Sequence, residues 1–220
     1  MRNFNQIYEN KQFKGLFVAD LDDTLFRAHP DVTRIHKFVD GKLKILSTDD
    51  YAKDPDQKNP EAQFVERDDL IENEGIYFSF EEFNDEESVK KGFKEGTPLI
   101  KNLKTMDAYL NKGYDFAFLT ARGHEKVLIS VLEDILKYTT FDGKLKSLGN
   151  KFNKEDSHAV GDPKYDADFE GLKVYERKAA VLKKLAKKYD RIIYVDDDIN
   201  NLIAAHELNL PNLTTIKAEE

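Results

Sequence analysis

Three short apolar runs, Leu16-Phe17-Val18-Ala19, Phe116-Ala117-Phe118-Leu119 and Ile192-Ile193-Tyr194-Val195, each give way at once to polar residues. None alternates with polar positions, so each reads as a strand covered on both faces, not one with a wet side. Helical patterns separate the runs. One opens with Thr97-Pro98, an N-cap residue followed by proline at the first helical position. It carries Leu99, Leu103, Met106 and Leu110 at helical spacing and closes at Gly113. A second spans about residues 125–137, and a weaker strand is expected at 145–148. A third spans about 176–189, with Ala180, Val181, Leu185 and Ala186 on one face. A last helix, about 199–208, is expected to end the chain. Strands that alternate with helices pair in parallel through right-handed crossovers. The fold class expected is therefore α/β, a Rossmann-like doubly wound parallel sheet.

Residues 27–96 break that rhythm. Phe38 to Leu46 reads as a hairpin turning at Asp40-Gly41. Pro55, Pro60 and dense charge follow, then the aromatic residues Tyr77, Phe78, Phe80 and Phe83, read as packing of this segment on the core. It holds 18 Asp and Glu against 11 Lys and Arg, a balance of −7 within a chain whose net charge is −8. We read 27–96 as a small hairpin-containing cap inserted after the first strand, with 1–26 and 97–220 as the core. Its charge is read as a solvated surface.

The acidic balance does not favour binding through nucleic-acid phosphates, which usually calls for a basic surplus. No apolar stretch approaches the roughly 20 residues of a membrane span, and the N-terminus has no leader-like pattern. Cysteine is absent, which excludes disulfides and thiolate metal sites and fits a reducing compartment. A cytoplasmic location without membrane association is expected.

In a parallel sheet, ligands bind beyond the carboxyl ends of the strands. Asp20 and Asp22 follow the first run, Thr120 the second, and Asp196 and Asp197 the third. Residues two apart in extended chain point the same way, so Asp20 and Asp22 face one site while Leu21 turns away. Converging carboxylates repel one another unless a cation holds them together, and hard oxygen donors suit Mg²⁺. His29, His36, His158 and His206 show no metal-ligand spacing. Each acidic residue alone reads first as a turn or cap residue; their ensemble on three strand ends does not.

The string Phe17-Val18-Ala19-Asp20-Leu21-Asp22-Asp23-Thr24 resembles the first motif of the haloacid dehalogenase-like hydrolases, an apolar strand followed by Asp-x-Asp-x-Thr. Thr120 after its strand, Lys178 early in a helix, and Asp196-Asp197 after theirs match the remaining three motifs in order. The chain is similar to small phage and bacterial members with a hairpin-bearing insertion. The resemblance implies a Mg²⁺-dependent phosphomonoester hydrolase acting on a small phosphorylated substrate, with a nucleotidase-like activity preferred and a nucleic-acid end less favoured. It implies Asp20 as nucleophile, Asp22 as acid and base, and Thr120 and Lys178 as phosphate-binding residues. The implied metal ligands are Asp20, Asp22 through its backbone carbonyl, and Asp197 with Asp196 beside it. Taken alone, Lys178 sits among lysines and reads as part of a solvated helix face, and Arg177 is a rival for its role. Arg122 and His124 read as loop residues at a helix start, and Thr24 as fixing the turn. Two other readings stand against the enzyme. A phosphorelay receiver domain fails on motif order, because Lys178 precedes the late acidic pair. A catalytically silent phosphate-binding or scaffold protein on the same fold is the alternative.

Overall fold

The structure, a computed structural model, describes residues 13–29, 32, 34–59, 62–64, 75–138 and 151–219. In chain order the strands are β1 (Gly15–Ala19), β2 (Phe26–Arg27), β3 (Ile35–Val39), β4 (Lys42–Leu46), β5 (Gln63–Phe64), β6 (Ile76–Ser79), β7 (Thr97–Pro98), β8 (Tyr114–Thr120), β9 (His158–Ala159), β10 (Arg191–Asp196) and β11 (Leu213–Lys217). The helices are α1 (Thr48–Lys53), α2 (Glu81–Asn84), α3 (Glu86–Lys94), α4 (Ile100–Leu110), α5 (Glu125–Tyr138), α6 (Val174–Leu185) and α7 (Ile199–Glu207).

The main sheet has five parallel strands in the order β11-β10-β1-β8-β9. The chain leaves β1 toward β8 and β9, then returns through α6 to β10 on the other side, so the order reverses at β1. Side-chain alternation along the central strands feeds two cores. Phe17, Ala19, Phe116, Phe118, Ile193 and Val195 pack against Leu103, Met106 and Leu110 of α4 and Leu128, Val131 and Leu132 of α5. Leu16, Val18, Ala117, Leu119, Ile192 and Tyr194 pack against Val181, Leu182 and Leu185 of α6 and Leu202 and Ala205 of α7. Covered on both faces, β1 is apolar throughout. The doubly wound α/β fold read from the sequence is the fold observed.

The segment after β1 forms a second, four-stranded sheet in the order β4-β3-β6-β5. β3 pairs antiparallel with β4 and β6, while β5 pairs parallel with β6. The hairpin turns where expected, with Asp40 at φ 48° and Gly41 at φ 75°. Two positive φ angles in succession are what a type I′ turn demands, and Asp-Gly tolerates them. Ile35, Leu46 and Phe78 form this sheet's own small core, against which Tyr51, Phe80 and Phe83 pack.

Three sequence expectations are corrected. Thr97-Pro98 does not open a helix: the pair forms β7, antiparallel to Phe26–Arg27, and α4 begins at Ile100 without a side-chain cap. The β2–β7 ribbon closes the neck of the insertion, and Pro98 in so short a ribbon leaves no central ladder bond unmade. The chain does not finish on α7, because β11 follows and pairs with β10. Its residues are half-exposed at the sheet's edge, so its apolar pattern is faint. α6 runs from Val174 to Leu185, starting and ending before the expected 176–189. The strand expected at 145–148 lies outside the described residues; β9, at His158–Ala159, is the strand observed beside β8. No helix among the described residues is long and apolar enough to cross a membrane.

Candidate active site

Strand register builds the site. Ala19 lies level with Val195 on one side and Phe118 on the other, so the next residues of β1 and β10, Asp20 and Asp196, emerge side by side. Asp20 N–H donates to Val195 O at 3.0 Å, which carries the pairing one step past the end of β1. Leu16 and Val18 point toward α6, and period-two alternation sends Asp20 the same way. Ile192, Tyr194 and Asp196 repeat the pattern on β10. Lys178 of α6 meets both carboxylates. Its Nζ donates to Asp196 Oδ2 at 2.8 Å and stands 3.1 Å from Asp20 Oδ1, the latter an ion pair outside hydrogen-bonding geometry.

Asp20, Asp196 and Asp197 each place a carboxylate oxygen within 4.8 Å of the others, a cluster that could hold a metal ion. Their surroundings differ. Asp196 is fully buried and accepts from Lys178, Tyr194 Oη, Asn201 Nδ2 and Asp198 N–H, which uses its lone pairs. Asp197 exchanges hydrogen bonds with Thr24: the Thr24 hydroxyl donates to Oδ1 at 3.0 Å and accepts from Asp197 N–H at 3.1 Å. Asp20 is 7% exposed, and among the described residues its Oδ1 meets the Lys178 ammonium as an ion pair but has no hydrogen-bond partner. A buried oxygen next to two further carboxylates, in a cluster made of aspartates without histidine or cysteine, matches a hard divalent cation.

Electrostatics agree with that fit. Burial pushes the Asp20 carboxyl well above its ordinary value; Lys178 opposes, and Asp196, Asp22 and Asp197 push further up. Burial and then Asp196 push Asp197 up to about 6, with the Thr24 hydrogen bond opposing. Burial works against the Lys178 ammonium, but Asp20 and Asp196 outweigh it and hold its pKa above the ordinary lysine value. A carboxyl whose pKa is higher folded than unfolded stabilises most below its unfolded pKa, about 4, and loses that contribution as pH rises through the folded value. The metal-free protein should therefore lose stability from Asp197 between about pH 4 and 6. Denaturation midpoints across that range check this, and Asp197→Asn should flatten the slope.

The other expected residues are placed as follows. Thr120, at the end of β8, is buried and its hydroxyl oxygen accepts from Arg122 N–H at 3.4 Å. Asp22 does not join the three-carboxylate cluster through its side chain. Both its oxygens accept from Arg122, at 2.6 Å from Nε and 2.7 Å from Nη2. Arg177 is not a rival of Lys178: it donates to Leu172 O and Val160 O and pairs with Asp166, tying a loop down away from the carboxylates. The Thr24 hydroxyl bonds across to Asp197, so it ties the first-motif turn to the end of β10 and positions that carboxylate.

Sequence reasoning set Arg122 aside and missed Asn102 altogether. Arg122 lies two residues past Thr120 on a strand end, the spacing that singled out Asp22 after Asp20. Asn102, inside α4, donates to Thr24 O at 2.7 Å and to Glu219 O at 2.9 Å, and accepts from Glu219 N–H. It clamps the first-motif turn to the end of the chain. Gly161 is a further support. Its N–H donates to Arg122 O at 3.1 Å, and a Cβ there would stand 2.2 Å from Ala121 O. Gly161→Ala must displace the 120–123 loop and should cost about 1–3 kcal/mol of stability by denaturant titration.

Set against protein-family profiles, curated proteins and solved structures, the chain matches none.

Proposed function

We propose that the protein is a Mg²⁺-dependent phosphomonoester hydrolase of the haloacid dehalogenase-like kind, with Asp20 as its nucleophile. The observation that carries this reading is the buried Asp20 carboxylate, lacking a hydrogen-bond partner at Oδ1 yet held against Lys178 beside Asp196 and Asp197. A carboxylate kept dry at the carboxyl end of the central strand, where the sheet order reverses, is poorly placed for stability and well placed for attack. Asp20 and Asp197 keep lone pairs open toward a cation and are the ligands proposed, with Asp196 locked by its donors as the group that orients Lys178. The Asp22 carbonyl is the further ligand implied by the family resemblance. Bound there, Mg²⁺ would offset charge on the nucleophile and the phosphoryl oxygens.

The chain's own residues then divide the work. Asp20 attacks phosphorus; an oxygen–phosphorus bond forms as the ester bond breaks, and the leaving oxygen takes a proton from Asp22, a role that requires Asp22 to leave the two-point grip of Arg122 and take up that proton first. Water next gives a proton to Asp22 and attacks the aspartyl-phosphate, freeing orthophosphate and Asp20. The Thr120 hydroxyl and the Lys178 ammonium steady the phosphoryl oxygens. A small phosphorylated metabolite, nucleotide-like by preference, is the substrate proposed.

Orthophosphate release from para-nitrophenyl phosphate and a broad panel of phosphorylated metabolites, with and without Mg²⁺, tests the reading. Absence of Mg²⁺-dependent turnover across the panel would sink it. Mg²⁺ should also raise the melting temperature by mass action, about 2.7 kcal/mol of stabilisation at a hundredfold excess over Kd. That increment should shrink as pH falls through about 6, where protons compete for Asp197.

A further inference from the structure

The turn that follows Asp20 is held from outside itself. Asp23 stands at φ 51°, in the left-handed region, a conformation that costs a residue other than glycine some energy. Within the turn, Leu25 N–H and Phe26 N–H both donate to Leu21 O at 3.0 Å. The carbonyls of Thr24 and Leu25 are taken instead by the start of α4. Leu99 N–H donates to Leu25 O at 2.9 Å, and Asn102 Nδ2 donates to Thr24 O at 2.7 Å. Asn102 is in turn fixed by Glu219, whose backbone oxygen accepts from Nδ2 at 2.9 Å and whose N–H donates to Oδ1 at 3.0 Å.

An amide is a poor choice for that position on packing grounds. Asn102 is 5% exposed and is buried along with Leu103, Met106 and Leu110 of the same helix. Leucine or methionine favours a helix more than asparagine does, and a buried amide is costly unless its donors and its acceptor are met. Both backbone segments that Asn102 grips adjoin the carboxylates. The Thr24 hydroxyl exchanges hydrogen bonds with Asp197, and Ala218 N–H donates to Asp196 O at 2.9 Å. Two residues and two hydrogen bonds, of 2.7 Å and 3.0 Å, thus connect α4 to Asp197.

A carboxylate holds a cation best when a further donor fixes its orientation, and loss of that donor weakens binding. We propose that Asn102 is a positioning residue for the cation site, holding the Thr24 carbonyl so that the Thr24 hydroxyl meets Asp197 in one place and readies that carboxylate for Mg²⁺. The proposal rests on the Mg²⁺-dependent reading and deepens it, because it names a residue that sets the ion's affinity from a helix that contributes no ligand. A clamp that served the fold alone would lower stability and leave affinity unchanged. A positioning residue changes affinity in protein that is fully folded, and does so only by way of Thr24.

Titration calorimetry of the metal-free full chain with Mg²⁺ alone tests this, with thermal midpoints in chelator as the measure of folding. Asn102→Ala should weaken Mg²⁺ binding about tenfold. The Leu99 to Leu25 backbone bond does not depend on that side chain, so α4 keeps one hold on the turn. Should Asn102→Ala not fold, Glu219→Pro decides. It removes the N–H that holds Asn102 Oδ1, at an exposed residue, and should weaken binding about threefold. The ion pair to Lys101 lost with it is exposed and contributes little. Thr24→Val should weaken binding by about tenfold or more, and Asn102→Ala added to it should weaken binding no further. Leu110→Ala, a buried residue at the other end of α4, should lower the midpoint and leave the Mg²⁺ Kd within about twofold of wild type. An unchanged Kd in the deciding variant, equal weakening in Leu110→Ala, or additive losses in the double variant would each overturn the proposal and leave the Mg²⁺ site standing. Wild-type protein that binds no Mg²⁺ overturns the Mg²⁺-dependent reading and the proposal together.

Discussion

Asp20→Asn is expected to abolish Mg²⁺-dependent phosphoester turnover, by at least about 10³-fold in kcat, while raising the melting temperature of the metal-free protein. The two effects share one cause. Asp20 is buried, its Oδ1 has no hydrogen-bond partner, and three further carboxylates press on it, so its charged form destabilises the folded state despite Lys178. An amide of the same shape removes that charge and removes the nucleophile with it. The sign follows from linkage: a carboxyl with a raised folded pKa contributes least at neutral pH, where the substitution therefore gains most. Stopped assays and thermal melts of both proteins in chelator check the pair of outcomes. A variant retaining activity within tenfold of wild type would remove Asp20 from the nucleophile's role.

Lys178→Met should act in the opposite sense on stability. Lys178 is 1% exposed and is the ammonium that Asp20 and Asp196 share. Removing one partner of a buried ion pair leaves uncompensated charge and costs about 3–5 kcal/mol. For a chain of this length that lowers the midpoint by roughly 10 °C. Activity should be lost as well. Because the penalty is carboxylate repulsion, Mg²⁺ should restore part of the midpoint, and Asp20→Asn in the Lys178→Met background should restore more than it gives alone. An unchanged midpoint in Lys178→Met would show that the carboxylates do not depend on this ammonium.

The behaviour of these residues explains how far the sequence could be read. Asp20, Thr120 and Asp196 were legible because a parallel sheet presents all its carboxyl ends on one edge, and a buried strand shows itself as an unbroken apolar run. Lys178 looked ambiguous among Lys173, Lys183, Lys184, Lys187 and Lys188. Its face was nevertheless marked, because Val181, Leu182 and Leu185 lie three, four and seven positions on. Thr97-Pro98 misled because N-cap-then-proline describes a helix start and a short edge ribbon equally well. Only pairing with Phe26–Arg27 separates them. β11 was missed because an edge strand needs no continuous apolar run.

By itself the sequence determined the doubly wound fold, the place of the insertion and the carboxyl edge at which the acidic residues gather, since strand burial and side-chain period are local properties of the chain. Only the tertiary structure decided what each acid does there. Asp196 is saturated by donors from β10, α6 and α7, Asp197 is steadied by Thr24 from 173 positions away, and Asp22 is gripped by Arg122 from 100 positions away. The Asp20 carboxylate thus differs from its neighbours in one respect no local pattern encodes. Among the described residues its Oδ1 has no hydrogen-bond partner and faces the Lys178 ammonium as an ion pair, because a carboxylate's neighbours are chosen by which distant segments packing brings beside it.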